Sequence, residues 1–224
     1  AFGSAHGEAI AFPPDAGFVD VCQKYGAKGD GATDDTAAFQ KAASDGVRLL
    51  FLPKGTYLLS NTVTFGSRGC VIQGENRVGT VLRLKDKASG FGNEAKPKPF
   101  ISTWKEFMSP RANTSRAGRS SLSDLTIEIG ADNPGAVGLH FLPVPGGSVR
   151  RVTIRTVDPF RAGKAGLAVV TNAPGASLFK DVLVEGFDFG IWNTAGQHGL
   201  TFEDVALRNQ SVAGVENVGQ TMAV

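Results

Sequence analysis

From about residue 120 onward the chain repeats one short alternation of apolar and polar positions. Four segments carry it: "LSDLTIEI" from Leu122, "VRRVTIRT" from Val149, "LFKDVLVE" from Leu178 and "TFEDVALR" from Thr201. A period of two marks half-buried strands, and it turns Leu125, Val152, Val182 and Val205 inward, with Ile127, Ile154, Val184 and Leu207 following them. The four anchors are spaced by 27, 30 and 23 residues. A second series runs between them, "GLHFL", "GLAVV", "GIWNT" and "GVENV", beginning at Gly138, Gly166, Gly190 and Gly214 with spacings of 28, 24 and 24. Two strand series that advance together predict stacked coils, an all-β parallel β-helix.

Coils stacked about 4.8 Å apart bring equivalent side chains into ladders, so like charges must be kept apart. Three residues after each anchor stand Glu128, Arg155, Glu185 and Arg208, alternating in sign. One residue before each stand Asp124, Arg151, Asp181 and Asp204. Opposite charges across neighbouring strands are an ordinary device of sheets, so these carboxylates are read as structural rather than catalytic.

Upstream, "GAKGDGATDDTAAF" from Gly26 packs three glycines and three aspartates ahead of an alanine-rich run. A dinucleotide loop needs G-x-G-x-x-G, and here Gly26, Gly29 and Gly31 run G-x-x-G-x-G. A calcium loop needs oxygen ligands at alternate positions, which Asp30, Asp34 and Asp35 do not supply. The structural reading uses more of the residues: Thr33 or Asp34 caps a helix, Asp35 sits at its positive end, Ala37 to Ala43 propagate it and Gly46 ends it. After it, "VRLLFLPKGTYLLSNTVTF" reads as strand, turn, strand.

Composition narrows the function. The 23 Lys and Arg against 21 Asp and Glu leave +2, far from the concentrated charge that phosphate neutralisation needs, so no nucleic-acid partner is expected. No apolar run reaches the roughly 20 residues of a membrane span, and no membrane partner is expected either. The 29 glycines and 11 prolines suit short strands and many turns. No His and Cys cluster has metal-ligand spacing, so neither a metal nor a cofactor is expected. Cys22 and Cys70 are able to pair only in an oxidising compartment, and Asn113 and Asn209 open glycosylation-type triplets that arise readily by chance.

Residues 86–120 break the rhythm with Lys87, Lys96, Lys98, Lys105, Arg111, Arg116 and Arg119. They read as an inserted loop over the flank of the coil, with a wall for an acidic polysaccharide as the sharper alternative. In the second strand series, inward Leu139, Leu167, Ile191 and Val215 put His140, Ala168, Trp192 and Glu216 on the outside, one above another. A Trp face beside a carboxylate suits a pyranose, whose apolar side lies on the ring while its hydroxyls bond acids and amides. The candidate carbohydrate-binding set is Trp192, Asn193, Glu216, His140 and His198, with Asn217 close by. The bland alternative is that Trp192 packs under a loop. Glu216 is the weak catalytic candidate; an inverting hydrolase needs a second carboxyl group, which a loop acid such as Asp158 or Asp188 would supply.

"VDVCQKYGAKGDGATDDTAAFQKA", "LLFLPKGTYLLS" and "GCVIQGEN" together resemble the start of the pectate-lyase-like superfamily, most closely its family 55-like glycoside hydrolases, the β-1,3-glucanases. The resemblance implies a single-stranded right-handed parallel β-helix with an N-terminal capping helix, residues 1–17 forming an extension and 18–224 the β-helix, with its last coil incomplete. It implies a secreted or extracellular protein acting on a polysaccharide, with the general acid contributed by a second β-helix domain or chain. Where the glucanases carry glutamines thought to hold the attacking water, this chain has Leu142 and Pro145, a departure that weakens β-1,3-glucan hydrolysis in particular. A pectate-type polysaccharide lyase and a non-catalytic tailspike or adhesin module are the alternatives.

Overall fold

The computed structural model describes residues 12–13, 16–66, 68–109, 117–173, 175–194, 199–218 and, by backbone alone, 222–223. Every strand pairing among them is parallel, and successive coils stack into a β-solenoid of about 7 turns. The expected ladder is present in register: Glu128 lies beside Arg155, Arg155 beside Glu185, and Glu185 beside Arg208. Arg83 extends it by one coil below Glu128.

The coil has three faces where the sequence pattern suggests two. Each long strand, Ser121–Ile129, Ser148–Thr156, Ser177–Glu185 and Leu200–Arg208, turns a corner within itself. The corner residues are Asp124, Arg151, Asp181 and Asp204, all in the left-handed region at φ 58, 52, 53 and 54°. A left-handed residue between two extended stretches rotates the chain, so the residue three before each anchor also points inward. Leu122, Val149, Phe179 and Phe202 therefore form a buried stack of their own, continued downward by Ile72 and Leu50. The second face stacks Tyr57, Leu82, Ile127, Ile154 and Val184. The third is a separate sheet of Val63–Thr64, Lys98–Ser102, Ala136–His140, Ala165–Val169, Phe189–Asn193 and Ala213–Asn217.

The recurring glycine of the third sheet has a steric cause. A Cβ on Gly138 would lie 2.6 Å from the Ile154 side chain, and one on Gly166 would lie 2.1 Å from that of Val184. Third-sheet and second-face residues meet across the core at these points, and only a hydrogen fits.

Two expectations change. Residues 86–120 are not wholly an insertion, because Lys98–Ser102 is a regular rung of the third sheet between Val63–Thr64 and Ala136–His140. Pro97, Pro99 and the flanking lysines mask its alternation. Val205 and Leu207 keep their register but are half-buried, and Val215 is 42% exposed, since they belong to the last described coils.

At the other end a short helix α1, Val21–Tyr25, precedes the expected one, α2, Thr36–Ser44. The residues divide the capping differently from the sequence reading. Asp34 accepts from the Thr36 N–H at 3.0 Å, while the buried Asp35 carboxylate turns back to the Lys28 and Gly29 N–H groups at 2.7 and 3.0 Å. Asp30 closes the loop on itself, accepting from the Ala32 and Thr33 N–H groups, and the Thr33 N–H foremost holds its carboxyl at about 2. The glycine-rich opening is thus a cap whose aspartates bind its own backbone. Cys22 and Cys70 are free thiols: Cys22 Sγ lies 3.3 Å from the Tyr57 hydroxyl, and burial pushes Cys70 up to about 12.

Candidate functional site

The outward column of the third sheet is in register as the spacing predicts. Ser102 lies beside His140, His140 beside Ala168, Ala168 beside Trp192, and Trp192 beside Glu216. It is not open along its length. Residues 103–109 leave the Lys98–Ser102 strand and cross in front of it, placing the Phe107 ring 5.0 Å from His140 and 6.4 Å from Trp192, edge-on to both. Trp192 also stacks on Phe189 at 6.2 Å and is 8% exposed. Val137, Ala165, Ala168 and Val170 complete this outer apolar cluster, separate from the core inside the coil.

His140, taken from the sequence as an outer contact, is fully buried. Its Nδ1 lies 2.8 Å from Ser102 Oγ and its Nε2 3.1 Å from Thr171 Oγ1. Burial drives its pKa down to about 3, so the ring is neutral at ordinary pH. Asn193 is displaced more fundamentally. It pairs in register with Val169, a residue of the inner core, so its side chain points into the coil, where its amide donates to Asn217 Oδ1 at 3.0 Å and its own Oδ1 is buried without a partner. Strand alternation forbids Trp192 and Asn193 from sharing a face. His198 lies outside the described residues. Of the proposed set the column itself therefore brings together Trp192 and Glu216.

Glu216 is set apart further by its lack of a polar partner among the described residues. Among the described residues, only Glu94, Asp204 and Glu216 carry a carboxylate with no hydrogen bond or ion pair. The two loop acids considered as catalytic partners are both committed. Asp158 accepts from the backbone N–H groups of Asp132, Phe160 and Ala162; burial alone would raise its pKa, and these bonds outweigh it and leave it lowered. Asp188 holds Lys164 Nζ at 3.1 Å and the Ser211 hydroxyl at 2.8 Å. The described part of the outer face thus presents one free acid and no second. Arg77, which the sequence pattern did not single out, answers Asp181 at 2.8 Å and ties the 75–79 turn to the second face.

Pockets of about 400 and 350 Å³ lie away from this column, one between the end of α2 and Phe65, Arg68 and Cys70, the other along Gly146, Gly147, Ser177 and Gly199. Among the described residues no group of three or more His, Cys, Asp or Glu is placed to hold a metal ion, and no helix is long and apolar enough to cross a membrane.

The chain belongs to the family described as "Rhamnogalacturonase A/epimerase, pectate lyase-like", which matches residues 18–223. It is 30% identical over 120 residues to a glucan 1,3-beta-glucosidase of Cochliobolus carbonum, covering 52% of this chain and 14% of that protein. It is 39% identical over 62 residues to the pre-neck appendage protein of Bacillus phage phi29, covering 28% of this chain and 7% of that protein. Among solved structures it resembles ORF18 of Geobacillus virus E2, with a TM-score of 0.59 at 18% identity, over 85% of this chain and 42% of that one. The aligned part is thus a small fraction of the length of these curated relatives.

Proposed function

We propose that the chain is the β-helix of a glycoside hydrolase that acts on an extracellular polysaccharide, with the outer column of the third sheet as its sugar-contacting face. The observation that carries this reading is the register of Trp192 against Glu216, an indole beside the one free carboxylate of that face, in a chain of the rhamnogalacturonase-type family. Trp192 stacks on a pyranose ring and Glu216 accepts from its hydroxyls. Inverting hydrolysis needs an acid that protonates the glycosidic oxygen and a base that activates water from the opposite side. Glu216 alone does not fill both roles, so the second carboxyl group comes from outside the described residues.

The test is incubation with β-1,3-glucans, rhamnogalacturonan and pectate, with and without chelator, with products read by mass spectrometry. Hydrolysis products lost on Trp192→Ala and Glu216→Gln support the reading. Unsaturated products that vanish with chelator would assign a lyase instead. The single free acid also favours a second reading, a module that binds glycan without turnover. Saturable binding with no product from any substrate, by a trimer in solution, would select it.

A further inference from the structure

Residues 103–109 cross the outer column of the third sheet with few backbone hydrogen bonds to hold them. Thr103 N–H donates to the His140 carbonyl at 3.0 Å, and beyond it residues 104–109 make no backbone-to-backbone hydrogen bond among the described residues. Its first two residues are anchored, Thr103 Oγ1 accepting from the Leu142 N–H at 2.8 Å and Trp104 lying buried against Leu142, Val144 and Ala173. Two side-chain hydroxyls hold the backbone carbonyls that follow. Ser102 Oγ donates to the Trp104 carbonyl at 2.6 Å, and Thr171 Oγ1 donates to the Glu106 carbonyl at 2.8 Å.

Both hydroxyls also touch His140, one at each ring nitrogen. Each hydroxyl has a single hydrogen, and each gives it to the crossing segment. A neutral imidazole has one N–H, so one of its two contacts contains no hydrogen at all. The unbonded ring nitrogen competes with a carbonyl of the segment for the same hydroxyl hydrogen, and one of the two is always left short. A second polar atom in the segment is also unsatisfied, since Trp104 Nε1 is buried without an acceptor. Unmet hydrogen bonds in a buried position destabilise the closed arrangement, which lowers the free energy of opening locally without unfolding the coil beneath.

We propose that residues 105–109 are a hinged cover over Trp192, anchored at Trp104 and latched by the Ser102 and Thr171 hydroxyls, and that the cover swings away to admit a sugar ring to the indole. The proposal rests on the reading of this column as the sugar-contacting face, and it assigns how that face is regulated. Opening withdraws Phe107 from between His140 and Trp192 and exposes the indole that is now 8% accessible. Lys105 and Met108 already face solvent and do not oppose the motion.

The chain has two tryptophans, Trp104 and Trp192, and both lie at the cover, so fluorescence reads its position without any ligand. In a Trp104→Phe background only Trp192 emits. Thr171→Val then removes the donor to the Glu106 carbonyl while keeping the side chain's shape. The expected result is at least a twofold rise in acrylamide quenching of Trp192 with an unchanged circular dichroism spectrum, and return to the parent value in Thr171→Ser. Should Thr171→Val fail to fold, Ser102→Ala carries the same expectation through the other hydroxyl. Quenching that stays at the parent value in the folded variant overturns the cover, whatever the glycan results. Binding of laminarin and of polygalacturonate oligosaccharides is measured on the same proteins. Raised quenching with tighter binding of either glycan supports both proposals; raised quenching with no binding to either, open or closed, leaves the cover standing and removes the sugar reading.

Discussion

Arg155 Nη2 meets Glu128 Oε2 at 2.6 Å although the two residues lie one whole coil, 27 positions, apart. Glu128 also holds Arg83 of the coil beneath at 3.1 Å, and its own side chain is 6% exposed. It is thus a nearly buried anion between two partly exposed cations. Glu128→Ala leaves those cations stacked on each other with nothing between, and breaking such a pair costs about 2–3 kcal/mol once the arginines' exposure is discounted. Glu185, higher in the same ladder, touches Asn209 at 3.3 Å and forms no ion pair among the described residues, so Glu185→Ala should cost under about 1 kcal/mol. Urea unfolding of the two variants checks the order; equal losses would mean that the ladder's geometry does not set its energetics.

The left-handed corners make a second, independent prediction. Asp204 sits at φ 54° and has no polar partner, so its backbone conformation can be probed without disturbing a network. Asp204→Gly should be neutral or stabilise by up to about 1 kcal/mol, because the left-handed region costs an L residue about that much more than glycine. Asp204→Val should lose about 1–2 kcal/mol, since branching at Cβ adds to the same clash. Asp124 resists the glycine change: Arg151 Nη2 holds its carboxylate at 2.7 Å and Gln73 Nε2 at 2.8 Å. Midpoints of thermal unfolding separate these cases, and a gain on Asp124→Gly as large as at Asp204 would refute the argument.

These corners also explain what the sequence could convey. The inward series from Leu125 and Ile127 onward was legible because alternation holds within each face, and the charge ladder followed from the same spacing. The face of Leu122, Val149, Phe179 and Phe202 was hidden because a single left-handed residue resets the phase, so that Leu122 and Leu125 both point inward at a separation no period-two pattern allows. Asp and Arg at those corners read as charges, whereas their conformational role was invisible. At the site, register put Trp192 beside Glu216, yet local spacing could not tell that residues 103–109, some 85 positions earlier, would cover Trp192. Asn193 was misplaced for a simpler reason: adjacency in sequence means opposite faces in a strand.

His140 predicts how stability responds to acid. Its pKa is about 3 when folded, against about 6.5 in an unfolded chain, because burial disfavours the charged ring. Between those values the unfolded state binds the proton and the folded state does not. Stability is therefore full above pH 6.5 and falls as pH drops toward 3, by up to about 1.4 kcal/mol for each pH unit. The carboxylates held low in the fold, Asp30, Asp34, Asp45, Asp124 and Asp158, lose their contribution only at lower pH, below their ordinary range. The interval from pH 6.5 to 4.5 thus belongs mainly to the histidine. Denaturant unfolding there should steepen with acid in the parent protein and flatten in His140→Gln; an unchanged slope in the variant would assign the loss elsewhere.

The cap at the beginning of the chain offers the last test, because two of its aspartates look alike in sequence and differ in energy. Asp35 is 3% exposed and accepts from two backbone N–H groups, Lys28 at 2.7 Å and Gly29 at 3.0 Å, across the glycine-rich loop. Gly29 must stay a glycine there, at φ 60° with the Tyr57 ring 3.0 Å from where a Cβ would sit, so the loop has no side chain of its own to fix it at that point. The Asp35 carboxylate therefore fastens the loop to the start of α2, and through Phe39, which meets the Tyr57 ring at 5.3 Å, to the first buried layer of the coil. Asp35→Ala strands two N–H groups in a site largely closed to water and should cost about 2–4 kcal/mol. Asp30 accepts similar bonds on the surface, where water replaces a lost acceptor, and Asp30→Ala should do far less harm. Hydrogen exchange adds location to magnitude: Asp35→Ala should speed exchange at Lys28, Gly29 and the first turn of α2 while amides of the Ser148–Thr156 strand stay protected, and uniform acceleration along the chain would show that the cap is not a separable unit.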